Sequence, residues 1–271
     1  MLKTRIKTGM ILTLIFTVFL YFSNIPYILN GLSTLLSILA IWELYSSVPF
    51  HNKSFIYMFV SHIVAVILSF IPLTQYTVIL YFLFPVAILG FIVLIHQVGH
   101  YKLDAPYKRL PIALMFPLFF RALPEIRREE CGLMMLITAI GICLLTDVSA
   151  YFIGRALGKK KIAPKISPNK TIAGCVGGIV VSVTVIAMAV ILADIYMDIR
   201  VNYLILLIYL VTASVVGQFG DFAMSSIKRT VGVKDFGKIL PGHGGILDRF
   251  DSLLFVAPFT IYYYDALSRF I

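Results

Sequence analysis

Apolar runs long enough to cross a hydrocarbon core of about 30 Å recur along this chain near residues 9 to 28, 31 to 49, 55 to 72, 76 to 95, 131 to 153, 172 to 193, 202 to 226 and 250 to 268. A further candidate, residues 110 to 120 or slightly beyond, is short and carries Pro111 and Pro117, so hydropathy leaves it open. Charge decides it. With nine spans and the N-terminus inside, Arg121, Arg127, Arg128, Arg200 and Arg269 lie outside, and the other 18 of the 23 Lys and Arg residues lie on the cytoplasmic side. Eight spans would split them 12 against 11, which the positive-inside rule disfavours. The pattern predicts an all-α integral membrane protein, a polytopic bundle of about nine transmembrane helices with a cytoplasmic N-terminus. On either count the loops after the 131 to 153 and 202 to 226 spans share a side, so two polar segments can meet at one membrane face.

Composition agrees. A chain of 271 residues that is 60% hydrophobic and 13% charged, with a mean hydropathy of +0.95, has too little polar surface for a water-soluble core. The net charge of +10 reads as an orientation signal between apolar segments, and no aromatic-basic recognition motif accompanies it, which argues against nucleic acid as a partner. Cys131, Cys143 and Cys175 sit in apolar helices without metal-ligand spacing and read as packing residues. The basic head and apolar body of the first 22 residues mimic a signal peptide, but no small-residue cleavage site follows, so an uncleaved first helix is expected. His96 and His100 are spaced i, i+4 but lack a third ligand nearby, His51 and His62 read as interfacial or packing residues, and Tyr262 to Tyr264 suit an aromatic belt.

The chemistry therefore has to be built at helix ends and in two basic loops. The first polar segment carries Asp147, the one acid of its span, and then Ser167, Pro168, Lys170 and Thr171, a turn that opens the next helix and directs hydroxyls, an ammonium and free N–H groups at an anion. No Walker-type loop is present, which excludes an ordinary P-loop nucleotide site. In the second segment Asp221, Ser225 and Lys228 fall on one helix face, and Asp248 and Asp251 stand at i, i+3 spacing at the start of the next helix. A carboxylate in a membrane helix costs roughly 2.5–3.5 kcal/mol on insertion scales, so a functional partner is its default reading. Asp221, Asp248 and Asp251 offer hard oxygen ligands suited to Mg²⁺, with room for a second cation. Gly244 and Gly245 beside His243 make a tight loop that a phosphate can approach, and Lys228, Arg229, Lys234 and Arg249 complete a phosphoryl-transfer arrangement.

The run from Ser225 to Asp251, SSIKRTVGVKDFGKILPGHGGILDRFD, resembles without a gap the long signature of the phosphatidate cytidylyltransferase (CDP-diacylglycerol synthase) family. Asp147, Ala150, Tyr151, Gly154, Gly158, Pro164, Ser167, Pro168, Lys170, Thr171 and Gly174 resemble two further family segments. The resemblance covers roughly residues 140 to 260, and in the N-terminal half it is confined to Trp42 and Glu43. The sequence departs from the family pattern at Met224, where an acid is usual, at Leu145, and at Ile172.

The resemblance implies transfer of a cytidylyl group from CTP to phosphatidic acid, giving CDP-diacylglycerol and pyrophosphate in phospholipid biosynthesis at the cytoplasmic face of the inner membrane. It implies nucleotide contacts from Asp147, Tyr151, Ser167, Lys170 and Thr171, catalysis at Asp221, Lys228, Asp248 and Asp251, and phosphate or lipid contacts from Arg229, Lys234, His243, Gly244, Gly245 and Arg249. Residues 1–125 are expected to form a helical scaffold with lipid access and 126–271 the catalytic region, within one continuous membrane domain. Glu43 is read as an interhelical hydrogen-bonding residue before a substrate contact. Expected partners are CTP, phosphatidic acid and membrane lipids, with a second copy of the chain as a further candidate. Competing readings are another CTP-using lipid enzyme, such as a polyprenol kinase or CDP-archaeol-type synthase, and a cation transporter.

Overall fold

The computed structural model describes residues 10, 21–48, 52–129, 131–197, 201–240 and 244–267. Most of the first expected span, 9 to 28, and the basic head before it lie outside the described residues, as does His243. The described chain forms α1 (Pro26–Ser46), α2 (Asn52–Phe70), α3 (Leu73–His96), α4 (Pro106–Phe120), α5 (Ala122–Arg128) and α6 (Gly132–Leu157). A hairpin of β1 (Lys161–Ala163) and β2 (Ser167–Thr171) precedes α7 (Ile172–Met197), α8 (Tyr203–Val231), α9 (Leu247–Phe250) and α10 (Leu253–Leu267). Five of these, α1, α3, α6, α7 and α8, are long and apolar enough to cross a membrane, and α2 and α10 are shorter apolar helices. Exposed Phe82, Val86 and Leu89 on α3 and Val176, Val180 and Met188 on α7 give these helices the outward apolar face that a bilayer solvates.

The short proline-bearing segment becomes two helices, α4 and α5, that break at Arg121. At 15 residues, α4 is about 22 Å long, and it packs against α1, α2 and α10 with Ala113, Phe116 and Phe119 fully buried. Arginines anchor both ends of the segment. Arg109, at its start, donates to the carbonyls of Tyr45 at 3.3 Å and Asp104 at 2.9 Å, which fixes it beside the end of α1. Arg121 donates to Ser69 O and Ile71 O at the end of α2 and pairs with buried Glu125 at 2.7 Å. Residues 106–128 therefore run from beside the end of α1 to beside the end of α2.

Two expected elements differ in form. The turn over Ser167 to Thr171 is strand β2, paired antiparallel with β1 through Lys161 to Thr171 and Ala163 to Ser167, because Pro168 and the extended residues around it enter α7 from a hairpin. The last span, expected from residue 250, begins earlier as α9 and is interrupted at Asp251 and Ser252 before α10.

Helices α6 and α7 make the closest approach. A Cβ added at Gly174 would lie 2.6 Å from Ala150 O, and one at Gly178 would lie 3.0 Å from Thr146 O, so only glycine lets the two backbones meet there. Deeper in the bundle Thr146 Oγ1 bonds Ser182 Oγ at 2.9 Å and Ser214 Oγ at 2.8 Å, and Gln218 Nε2 donates to Cys175 O. These bonds register α6, α7 and α8 against one another. Helix α10 packs against α3, α4, α5, α6 and α8, so the N- and C-terminal halves share one core.

Candidate active site

The polar segments do meet. Arg229, in the last turn of α8, donates Nε–H to Ile166 O at 3.0 Å, and Lys170 of β2 pairs with Asp221 of α8 while standing 4.3 Å from the ring centre of Phe222. The hairpin is thereby stitched to the C-terminal end of α8. Asp221 Oδ1 also accepts from Ser225 one turn on, at 3.2 Å, the contact that their i, i+4 spacing predicts.

Three carboxylates gather here, Asp221 with Asp147 of α6 and Asp251 of the α9–α10 junction. Ser252 links two of them: its hydroxyl donates to Asp147 Oδ2 at 3.3 Å, and its N–H donates to Asp251 Oδ1 at 2.9 Å. Gly220 brings in the third, since a Cβ there would lie 2.8 Å from Asp251 O, so the backbone beside Asp221 touches the one beside Asp251. Asp147, Asp221 and Asp251 lie within one another's electrostatic reach, with Lys170, Lys228 and Arg249 among the cations that act on them. Like charges gathered in the C-terminal halves of α6 and α8 and at the α9–α10 junction, inside an apolar bundle, are costly unless a cation or a cationic ligand face offsets them.

Asp248 stands apart in role. It is buried, its Oδ1 pairs with Lys228 Nζ at 3.0 Å, and its Oδ2 accepts N–H groups from Phe236 at 3.0 Å and Gly245 at 2.9 Å. Both oxygens are engaged in holding the loop between α8 and α9, and Lys228 Nζ lies over the Phe236 ring at 5.6 Å. Gly244 takes a left-handed φ of +84°, which glycine adopts without strain, and this turn aims the Gly245 N–H at Asp248. The buried pair and its two amides fix where Lys228 stands.

Glu43 secures the same loop from beneath. The Glu43 carboxylate, fully buried, accepts the N–H groups of Ile246 at 2.8 Å and Leu247 at 2.9 Å, satisfying donors that the start of α9 would otherwise leave open. A Cβ at Gly237 or at Gly245 would lie 2.5 Å from its oxygens, so these two glycines of the signature close over it.

The remaining expected residues fall into three groups. Thr171 is buried and its hydroxyl caps α7 by accepting from Gly174 N at 3.1 Å; Arg229 also donates to Val233 O. Ser167 is half-buried in the hairpin, and Tyr151 is exposed on α6 with its ring edge-on to Phe152. Arg249 is exposed beside the carboxylates, and Lys234 is exposed on the α8–α9 loop. Met224 is fully buried in the apolar core, so its side chain adds no polar group to this face. Ser252, which follows the signature directly, had no sequence signal beyond that adjacency.

Oxygen ligands on Asp147, Asp221 and Asp251 have the hard character that a magnesium ion takes. Among the described residues no three His, Cys, Asp or Glu side chains converge closely enough to hold a metal as they stand. Asp221 is held by Lys170 and Asp248 by Lys228, so a bound ion would draw on carboxylates now held by lysines.

The profile of the cytidylyltransferase family matches residues 3–267. A phosphatidate cytidylyltransferase of Bacillus subtilis (strain 168) is 40% identical over 167 residues, covering 61% of this chain and 58% of that protein. Proteins of the same name from Staphylococcus epidermidis (strain RP62A) and Staphylococcus aureus (strain COL) are each 44% identical over 134 residues, covering 49% of both chains. The chain thus spans about half to three-fifths of the length of these curated relatives. With a family match over nearly its full length, the chain belongs to the cytidylyltransferase family.

Proposed function

We propose that this protein is a phosphatidate cytidylyltransferase, joining CTP and phosphatidic acid into CDP-diacylglycerol with release of pyrophosphate. The observation that carries the reading is the convergence of Asp147, Asp221 and Asp251 with Lys170 and Lys228 in one polar cluster within an apolar helical bundle. A transporter reading calls for polar groups spread along a path through several spans, whereas these side chains gather in one cluster in the C-terminal halves of α6 and α8 and at the α9–α10 junction.

The chemistry asks little of a general base. A phosphate monoester has a second pKa of about 6, so the lipid phosphate is largely a dianion and one of its oxygens attacks the α-phosphorus of CTP directly. A new P–O–P linkage forms as the bond to pyrophosphate breaks. The difficulty is to bring two polyanions together. Lys170, at the mouth of the hairpin, is positioned for the nucleotide's phosphates, and Lys228 and Arg249 for the reacting groups. Magnesium, held by Asp221 and Asp251 with Asp147 close by, would supply charge neutralisation there; Asp248 joins that set only by releasing Lys228 and two backbone amides.

The direct test is incubation of the purified protein with radiolabelled CTP, Mg²⁺ and phosphatidic acid, followed by lipid extraction. With CTP labelled at the α-phosphate, label in a CDP-lipid is expected; transfer of label into lipid from CTP labelled at the γ-phosphate would point to a kinase instead. The division of labour among the lysines is tested separately. Lys170→Ala is expected to raise the KM for CTP about tenfold, the loss of one charge-assisted contact, with a smaller effect on phosphatidic acid. Lys228→Ala is expected to lower kcat about 10²-fold with both substrates saturating. A selective phosphatidic acid defect in Lys170→Ala would overturn the assignment.

The active face is cytoplasmic in this proposal, following the distribution of Lys and Arg. In a Cys131→Ser background, chosen because Cys131 is exposed, cysteines introduced at Lys160 and Lys238 should label from the cytoplasmic side and one at Arg128 from outside. Labelling of 160 and 238 from opposite sides would contradict a shared site.

A further inference from the structure

A cavity of about 750 Å³ opens between the end of α1 and the loop that follows α8, lined by Trp42 and Ser46 on one side and by residues 233–239 on the other. Its size falls within the roughly 300–1,000 Å³ of small-molecule sites. Trp42 and Ser46 stand at i, i+4, one above the other on the same helix face. The facing wall is Lys234 and Lys238 with Asp235 between them, over apolar Val233, Phe236 and Ile239. Trp42 is 44% exposed and Ile239 39% exposed at the polar end of a membrane-length helix, where tryptophan is favoured because its ring suits hydrocarbon and its N–H suits headgroups.

One wall of this cavity is the loop that holds Lys228 and Asp248. Phe236 lines the cavity, yet its N–H holds Asp248 and its ring lies beneath the Lys228 ammonium. Gly237, next in the wall, closes over Glu43. A group lodged between the two lysines is thus separated from the Lys228–Asp248 pair by one residue of the loop. The cavity combines an apolar wall at the end of a membrane-length helix with two cations and one anion, a pattern that complements a lipid carrying a compact, doubly negative headgroup.

We propose that this cavity is the docking site through which a phosphomonoester lipid leaves the bilayer and enters the active site, with Trp42 and Ile239 against its glycerol and upper acyl carbons and Lys234 and Lys238 at its phosphate. The inference rests on the reading of the chain as an enzyme of a lipid phosphate. It assigns Trp42, Ser46 and Lys238 to substrate entry, apart from the carboxylate centre.

Trp42 is the one tryptophan of the sequence, so it reports on its own surroundings. The purified protein is reconstituted in phosphatidylcholine vesicles, and Trp42 emission, excited where tyrosine does not absorb, is followed as lipids with brominated acyl chains are added. Brominated phosphatidic acid is expected to quench saturably and far more strongly than brominated phosphatidylglycerol at matched charge, or brominated phosphatidylcholine. Lys234→Gln and Lys238→Gln, both at exposed positions, should each weaken that response about fivefold. Equal quenching by the phosphodiester and phosphomonoester lipids, an unchanged response in the double variant, or a change of emission with CTP alone would overturn the docking site. The transfer assay on the same samples separates the two readings. Selective, lysine-dependent quenching without CDP-lipid product would leave the site standing and reject the activity, whereas product formation with unselective quenching would do the reverse.

Discussion

Asp221→Asn is expected to lower turnover by about 10²- to 10³-fold or more, the scale seen when a charge-stabilising group is removed from a reacting centre, while the protein remains folded and extractable. The side chain is 20% exposed, and its partner Lys170 is 22% exposed. Losing the pair should cost about 1 kcal/mol of stability, as for other partly exposed ion pairs, because Lys170 keeps access to solvent and the field of Asp147. The activity loss would far exceed that. Asp251→Asn should behave alike, since the Ser252 N–H can still meet an amide oxygen while the negative charge is gone. Transfer assays over a range of Mg²⁺, with thermal unfolding in the same detergent, check both variants. Near-normal activity of Asp221→Asn at low Mg²⁺ would remove it from the centre.

Glu43→Ala should instead be a failure of stability. The substitution deletes an acceptor that two buried N–H groups share, and hydrogen bonds to a charged group contribute about 1.5–3 kcal/mol each, so a loss of about 3–6 kcal/mol is expected. Ile246 and Leu247 lead directly into Asp248, so loosening them also releases Lys228 and lowers kcat in whatever protein survives. Glu43→Gln preserves one acceptor and should recover part of the stability with nearly unchanged KM values. Gly245→Ala tests the same contact from the other side, because its Cβ would enter within 2.5 Å of both Glu43 oxygens. A Glu43→Gln variant that unfolds normally but binds phosphatidic acid poorly would make Glu43 a substrate contact instead.

The residues of the site were legible because their cost is local. A carboxylate at 147 or 221 in an apolar span, a lysine run at a helix end and glycines around a histidine each conflict with the hydrophobic pattern in which they sit, and that conflict shows along the chain without reference to any other segment. Spans α1, α3, α6, α7 and α8 were legible for the complementary reason, since a bilayer imposes one long apolar period on each helix by itself. Segment 106–128 was harder: its prolines and arginines weaken the local signal, and its burial comes from α1, α2 and α10 closing around it.

The sequence alone determined the class of fold, the two polar segments and the family signature, since these depend on composition and spacing within single stretches. Tertiary structure decided what each member of the signature touches. Asp221 and Asp248 look equivalent as acids at helix ends, but Asp248 is enclosed by Lys228 and two amides while Asp221 faces the hairpin and the other carboxylates. Glu43 reaches an amide 203 residues away, and Trp42 lines one cavity with the lysines of a loop almost as remote in sequence. Such contacts arise from helix packing, which sets partners by shape and by the need to satisfy buried polar groups, and neither requirement leaves a periodic trace along one chain segment.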